Sequence, residues 1–517
     1  MEFLVSCFLC LLLFMCVYVL VQVCSSITST RSRASSSKLP PGPRRIPILG
    51  NLLDLGDKPH KSLAELAKTH GPIMSLKLGN LFSVVISSAA MAREILQTND
   101  LIFSNRTIVD AIRARQHHEL GMPWIPVSPL WSNLRKVCNI HMLGSQPLDA
   151  TQYLRRKKIE QLLATVQESS RLGEVVDIGQ VAFNATLNSI SNTIFSVDLA
   201  DSNSQRAREF KKTVWTLMEA SGKPNLADYF SLLRRVDPHG VRHTISIHAD
   251  KLLEIFQGMY DERLQLRKGQ ASPTNDDFLD TLIDIVENKT EELNRIHVMH
   301  LFLDLFVAGT DTNTSTLEWG MTELLCNPTI LQKARAELEE VIGKARQVQE
   351  SDIACLPYLQ AIIKETLRLH PATPLLLPRR AGVDVEICGF TVPEGTQVVV
   401  NAWVIGRDPS IWEMPSSFIP DRFLGSEIDV KGRHFELIPF GGGRRICPGL
   451  NLSLRMLHIM LGSLINCFDW KLEDRVTPES MNMEEKFGIT LQKADIPCVL
   501  SRSLCDIIMT FLGEDCY

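Results

Sequence analysis

The sequence has no excess of charge of one sign: 54 Lys and Arg stand against 59 Asp and Glu, a net charge of −5. That balance offers no basic field for nucleic acid, and no nucleic-acid partner is expected. The body of the chain has no C-x-x-C pair, and its cysteines, thirteen in the whole chain, show no regular spacing. This argues against a zinc module and a secreted disulfide framework, and suits a reduced, cytosol-facing domain. A Gly-x-Gly-x-x-Gly dinucleotide fingerprint is missing, and so is any internal repeat. Basic residues are also missing ahead of the apolar run at residues 3–23, which only Glu2 precedes. A cleaved signal peptide would normally carry a basic segment there. The run has the length of a bilayer span, and positive charge follows it at Arg31, Arg33 and Lys38. An uncleaved single-pass anchor over residues 1–24, with the rest of the chain cytosolic, is therefore expected; a signal peptide is the rival reading.

What is present begins with a connector. Residues 25–37 are Ser-rich, and Pro40-Pro41-Gly42-Pro43 follows. Proline fixes φ and removes backbone donors, so residues 25–43 form a linker ending in a stiff hinge. Residues 74–87 alternate around a Gly-Asn turn and predict a hairpin. Residues 89–97 predict a short helix. Residues 105–130, with Pro123, Pro126 and Pro129, predict a long irregular loop. Helical patterns dominate residues 131–341, with interruptions near 198–205, 222–225 and 269–277. Residues 383–400 predict two short strands around Pro393-Glu394-Gly395. The sum is a mainly α protein with a small β region. A length of 517 residues would allow two or three domains. The motifs below run through the whole chain toward one site, which argues for a single large domain over residues 44–493.

The most informative segment is Phe440-Gly441-Gly442-Gly443-Arg444-Arg445-Ile446-Cys447-Pro448-Gly449, ahead of an apolar helical stretch at residues 450–468. A thiolate is a soft, charged ligand for iron. Arg444 and Arg445 could lower the thiol pKa, and so could backbone N–H groups at the helix start. Three glycines would let backbone approach a flat ligand, and Phe440 could cover the sulfur. A lone cysteine is more often simply buried; the full spacing Phe-x-x-Gly-x-Arg-x-Cys-x-Gly points the other way. Upstream, Ala308-Gly309-Thr310-Asp311-Thr312 sits in a predicted helix over residues 298–325. An acid beside a hydroxyl, next to two small residues, suits proton delivery. Glu365 and Arg368 are spaced to pair on one helix face.

This loop resembles the haem segment of the cytochrome P-450 superfamily at every signature position. Ala308–Thr312, Glu365-Thr366-Leu367-Arg368, Pro420-Asp421-Arg422-Phe423 and Trp131-Ser132-Asn133-Leu134-Arg135 resemble four further signatures in the expected order. The likeness spans about residues 40–493. Its finer texture, in stretches such as Ser104-Asn105-Arg106-Thr107 and Phe423-Leu424-Gly425-Ser426, is similar to the plant branch that includes geraniol 8-hydroxylases. The resemblance implies the cytochrome P-450 fold, haem b with Cys447 as metal ligand, and O2 as co-substrate. Electrons would come from NADPH through a separate NADPH-cytochrome reductase, with cytochrome b5 as a further partner, at the endoplasmic reticulum membrane. It implies Thr312 and Asp311 as the proton relay, with Asn313 a departure that tunes it. Trp131, Arg135, Arg379 and Arg445 would bind the haem propionates, with Arg380 able to stand in for Arg379. Phe440 and Gly449 would flank the haem, and Glu365, Arg368 and Arg422 would form a buried charged network. Substrate contacts would come from Trp124, Phe302, Phe306, Ala308, Gly309, Leu375 and Ile489. Asp421 replaces the usual Glu of its segment.

The reaction this implies is monooxygenation of a small lipophilic plant metabolite, foremost a monoterpenoid alcohol such as geraniol. A phenolic or other plant metabolite is the rival substrate. A haem isomerase or dehydratase, or a non-enzymatic haem protein, are rivals of another class. The sequence departs from the pattern after Lys493. Residues 494–517 continue as an apolar tail with Cys498, Cys505 and Cys516, and a tail that does not pack is one expectation.

Overall fold

The structure, a computed structural model, describes residues 38–200, 205–222, 224–269, 277–289, 292–472, 476–494 and 498–503. The expected anchor, most of the Ser-rich linker and the last fourteen residues lie outside the described residues. Among the described residues, no helix is long and apolar enough to cross a membrane.

The chain starts on the proline hinge, which lies along the first strand. Ser75 donates its backbone N–H to Pro41 O (2.7 Å) and its hydroxyl to Pro40 O (2.8 Å). A Cβ on Gly42 would fall 1.9 Å from Ser75 O, so glycine is required for this approach. Strands β1 (Ile73–Leu78) and β2 (Leu81–Ile86) form the expected hairpin. They belong to a five-stranded sheet with β3 (Asn105–Arg106), β5 (Arg379–Arg380) and β8 (Gln397–Val400), in the order β1-β2-β8-β5-β3. The expected pair of strands at residues 383–400 is three. A hairpin of β6 (Val385–Ile387) and β7 (Phe390–Val392) precedes β8. Its turn uses positive φ at Cys388 (48°) and Gly389 (78°), a two-residue geometry hidden by the cysteine. The irregular stretch 105–130 holds β3, a 3-10 segment (Asp110–Gln116) and one helical turn, α1 (His117–Leu120).

Helices α2 (Pro129–Cys138), α3 (Gln152–Leu172), α4 (Ile178–Phe195), α5 (Gln205–Gly222), α6 (Val241–Gly269), α7 (Arg295–Cys326), α8 (Pro357–Leu369) and α9 (Leu450–Cys467) carry most of the mass. Local chemistry sets their ends. Ser128 caps α2 by accepting the Trp131 N–H, with Pro129 at the first helical position. Asn294 and His297 form a reciprocal capping box at the start of α7, and Pro328 lies just beyond its end. Helix α7 is the spine of the fold. It packs against α4, α6, α8 and α9, so it is buried on most sides.

The segment after Lys493 corrects one expectation. Strand β12 (Cys498–Ser503) is the centre of a three-stranded sheet between β4 (Val176–Asp177) and β9 (Phe468–Leu472). Its backbone is paired on both edges, so this part of the tail belongs to the fold. Just before it, β10 (Glu485–Lys486) and β11 (Gln492–Lys493) pair antiparallel. The turn between them hangs from α7: Leu491 O accepts from Ser315 Oγ (2.8 Å) and Trp319 Nε1 (3.3 Å).

Glu365 and Arg368 on α8 pair bidentately at 2.7 Å, with both side chains fully buried. Arg422 Nε approaches Glu365 Oε1 at 3.1 Å. The remaining Arg368 donors go to Gly406 O, Pro415 O and Ser417 O. The trio ties α8 to the segment 406–422.

Candidate active site

A cavity of about 360 Å³ lies between α7 and the Cys447 loop. Cys447 lines one wall with Phe440, Gly441, Pro448 and Gly449; Asp304, Ala308, Gly309, Thr312 and Asn313 of α7 line the other. The loop turns through positive φ at Gly441 (73°) and Gly443 (68°). A Cβ on Gly443 would lie 1.8 Å from Leu96 O, so this glycine serves a backbone contact with the segment before β3 and not a ligand. The Cys447 N–H donates to Phe440 O (3.0 Å), which closes the turn. Burial pushes the Cys447 thiol up; the Gly449 and Leu450 N–H groups and the Arg135 guanidinium pull it back. The expectation that Arg444 and Arg445 supply this charge is corrected. Arg444 pairs with Asp100 (3.0 Å), and Arg445 donates to Ser104 O, Met122 O and Ile125 O.

Four guanidiniums converge on the cavity rim: Arg106, Arg135, Arg379 and Arg445. The antiparallel pairing of β3 with β5 sets Arg106 directly opposite Arg379, an arrangement of like charges that destabilises a ladder. Among the described residues, no carboxylate lies within ion-pair distance of any of the four. Their donors reach backbone carbonyls, such as Leu377 O from Arg106 (2.8 Å) and Gly442 O from Arg379 (3.1 Å). Burial depresses all four, and their neighbours' charges add to this at Arg106 and Arg445. Arg379 and Arg445 fall to about 10. Arg380 is exposed on the other face of β5 and cannot stand in for Arg379. Trp131 lies beneath Arg445, whose guanidinium sits 4.9 Å from the ring centroid. A thiol on one wall and four arginines at the rim suit a flat group that takes a sulfur ligand and carries carboxylates on one edge. Arg106 was not among the sequence candidates, because its partnership with Arg379 depends on strand pairing.

On α7 the expectations divide. Ala308, Gly309 and Thr312 line the cavity, as do Trp124 and Ile489. Phe302 and Phe306 do not. They are fully buried among Phe195, Phe210 and Phe256, with ring centroids 5.0–6.2 Å apart. At about 100° per residue, positions 302 and 306 share a stripe facing α4 and α6, while 304, 308 and 312 share the cavity stripe. Leu375 likewise packs against the β1–β2 side, and its neighbour Leu376 faces the cavity. Gly309 also serves α4, since a Cβ there would lie 2.6 Å from Ile190 Cδ1.

Asp311 and Thr312 do not touch. The Thr312 hydroxyl donates to Ala308 O (2.9 Å). Asp311 points toward β11, accepts from Gln492 Nε2 (2.8 Å) and has the Thr490 hydroxyl beside it; burial raises its pKa above the usual carboxylate range. Thr490 itself lines the cavity. Asn313 donates to Gly309 O and accepts from Ser453 Oγ (2.6 Å), which fastens α7 to the first turn of α9.

The comparisons agree with this geometry. The cytochrome P-450 family model matches residues 40–498, and the chain belongs to that family. Geraniol 8-hydroxylase of Swertia mussotii is 54% identical over 459 residues, which cover 89% of this chain and 92% of that protein. Geraniol 8-hydroxylase of Catharanthus roseus is 51% identical over 459 residues, 89% of this chain and 93% of that protein. Drimenol monooxygenase of Persicaria hydropiper is 50% identical over 496 residues, 95% and 98% of the two chains. A solved zebrafish cytochrome P-450 with progesterone superposes with a TM-score of 0.74 at 25% identity, covering 86% of this chain and 99% of that one. The protein is therefore a monooxygenase that uses haem b and O2, takes NADPH-derived electrons from a reductase, and acts on a lipophilic substrate.

Proposed function

We propose that this monooxygenase hydroxylates a small terpenoid alcohol, with a monoterpenol such as geraniol as the first candidate. The observation that carries the reading is the mainly apolar cavity between α7 and the Cys447 loop, in a chain 54% identical to a geraniol 8-hydroxylase. The haem, when bound, supplies the oxidising chemistry. Cys447 would supply its thiolate ligand, with Phe440 and Gly449 beside the sulfur, and Arg135, Arg379, Arg445 and Trp131, together with Arg106, would hold its carboxylates. The Glu365–Arg368–Arg422 network holds α8 and the segment 406–422 together. Thr312 presents a hydroxyl at the cavity wall that can hold a proton at Oγ1. Asp311 lies on the β11 side of α7, where Gln492 donates to it, and it does not bond Thr312. The apolar walls exclude water from the reacting end of the substrate.

Residues 1–24 anchor the protein in the endoplasmic reticulum with the catalytic domain cytosolic, where the reductase and cytochrome b5 can dock. Deleting residues 1–24 should free the protein from membranes with haem retained; a mature chain beginning near Ser25 in cells would defeat this assignment. Cys447→Ser should abolish the thiolate-type Soret shift of the reduced, CO-bound form. For the substrate, the purified protein with reductase and NADPH is offered monoterpenols, sesquiterpenols and phenolics. Hydroxylated monoterpenols should dominate; turnover of phenolics alone would overturn the reading.

A further inference from the structure

Beside Met122, whose carbonyl Arg445 uses, the cavity lining carries two buried side chains, His117 and Asp304. Their side chains are only 11% and 5% exposed. Asp304 Oδ1 accepts from His117 Nε2 (2.9 Å), and Oδ2 accepts from the Met122 N–H (2.8 Å). His117 Nδ1 lies 2.9 Å from His300 Nδ1. Burial and the neighbouring His117 and His297 hold His300 down at about 4, so it is neutral near pH 7. With a neutral His117, both bonds form when it carries its proton on Nε2 and His300 donates from Nδ1. An ionised carboxylate has about four acceptor sites, and two are used here. A buried carboxylate facing an apolar cavity with acceptor capacity left is a place for a donor.

We propose that the His117–Asp304 pair is the anchor for the substrate's hydroxyl group, with the alcohol donating to Asp304. This rests on the terpenoid-alcohol reading above. The position of the pair also fixes where the substrate is oxidised. Asp304, Ala308 and Thr312 share one stripe of α7, so the anchor stands roughly 6 Å along the helix from Ala308 and roughly 12 Å from Thr312. An extended chain advances about 1.2 Å per bond, so carbons about five to ten bonds from the hydroxyl oxygen come under that span. The far end of an acyclic monoterpenol falls in this window, and its carbinol carbon does not. A free ammonium is a poorer occupant than a hydroxyl, because it would bury a charge against a carboxylate already bonded to an imidazole.

The test uses the haem-loaded full-length protein and its Soret perturbation on ligand binding. Matched pairs are titrated: a monoterpenol, a sesquiterpenol and an alkylphenol, each against its analogue lacking the hydroxyl, with an arylalkylamine as a separate arm. Wild type should bind an alcohol about tenfold or more tightly than its deoxy partner, the size expected of a hydrogen bond to a charged group. Asp304→Asn keeps an acceptor for Met122 and should erase that preference by weakening the alcohol alone. It should also spread hydroxylation over several carbons. Equal affinity of alcohol and deoxy analogue in wild type would overturn the proposal without needing any variant. So would equal weakening of both partners in D304N, or tightest binding by the amine. If monoterpenols fail to bind but another pair shows the hydroxyl preference and loses it in D304N, the anchor stands and the monoterpenol reading falls.

Discussion

Arg368 uses all five of its N–H donors, and this makes its replacement by lysine a quantitative test of the network under the active site. Two donors meet Glu365, and three meet the carbonyls of Gly406, Pro415 and Ser417, at 2.6–3.0 Å. Arg368→Lys keeps the charge but offers three donors without the planar fork. At least two buried acceptors lose their partner, at about 1–3 kcal/mol each. The expected loss is about 2–6 kcal/mol. Arg422 is the control. It shares Glu365, but its bond is longer (3.1 Å) and its outer nitrogens are exposed, so water can replace what Arg422→Lys gives up. Its cost should be about 1 kcal/mol or less. Thermal unfolding followed by circular dichroism at one scan rate reads the difference. At about 2 °C per kcal/mol for a large domain, Arg368→Lys should fall by several degrees and Arg422→Lys by about 2 °C. Equal losses in the two variants, or an unchanged midpoint in Arg368→Lys, would refute the account of a fully used guanidinium.

Thr312→Ala should leave substrate binding intact and divert reducing equivalents to peroxide, read as product formed per NADPH consumed; wild-type coupling would remove Thr312 from proton delivery. Phe302→Ala should cost about 3–5 kcal/mol of stability by opening a hole in the aromatic cluster, with product regiochemistry unchanged. A stable variant with altered products would return Phe302 to the substrate wall. Glu318 of α7 carries a carboxyl raised from 4.5 to about 8, first by burial, then by Asp177 and Asp311, against the pull of Lys493. The folded state thus keeps a proton that the unfolded chain releases above pH 4.5, so this group's contribution to stability is lost as pH rises from about 4.5 to about 8. Glu318→Gln should therefore match wild type near pH 5 and be the more stable at pH 8; parallel stability–pH curves would contradict the assignment.

Much of the fold was legible in the sequence because its signals are local. The strict spacing around Cys447 and the apolar stretch after it marked the loop and α9. The alternating residues before and after Gly79 and Asn80 marked the β1–β2 hairpin. The acid–hydroxyl segment lay within a helix whose observed bounds, Arg295–Cys326, differ from the expected ones by a few residues. Where signals were weak, the reading failed: Cys388 in a positive-φ turn gave no glycine-asparagine cue, and the β6–β7 hairpin was missed.

The sequence by itself determined the thiol loop, the class of fold and the positions at which α7 would be small or hydroxylic. Only the tertiary structure decided which side of α7 meets the cavity. A helix buried on most sides has no polar stripe to orient it, so Phe302 and Phe306 were as plausible as Asp304 until α4 and α6 were seen to cover them. Likewise, Asp311 and Thr312 are adjacent in sequence, yet about 100° apart around the axis, and only packing against β11 showed that the acid faces Gln492. The pairing of Arg106 with Arg379, and of Val176 with Val499, joins segments hundreds of residues apart. No local periodicity encodes such a register. It is settled by which strand edges remain unpaired once the helices have packed.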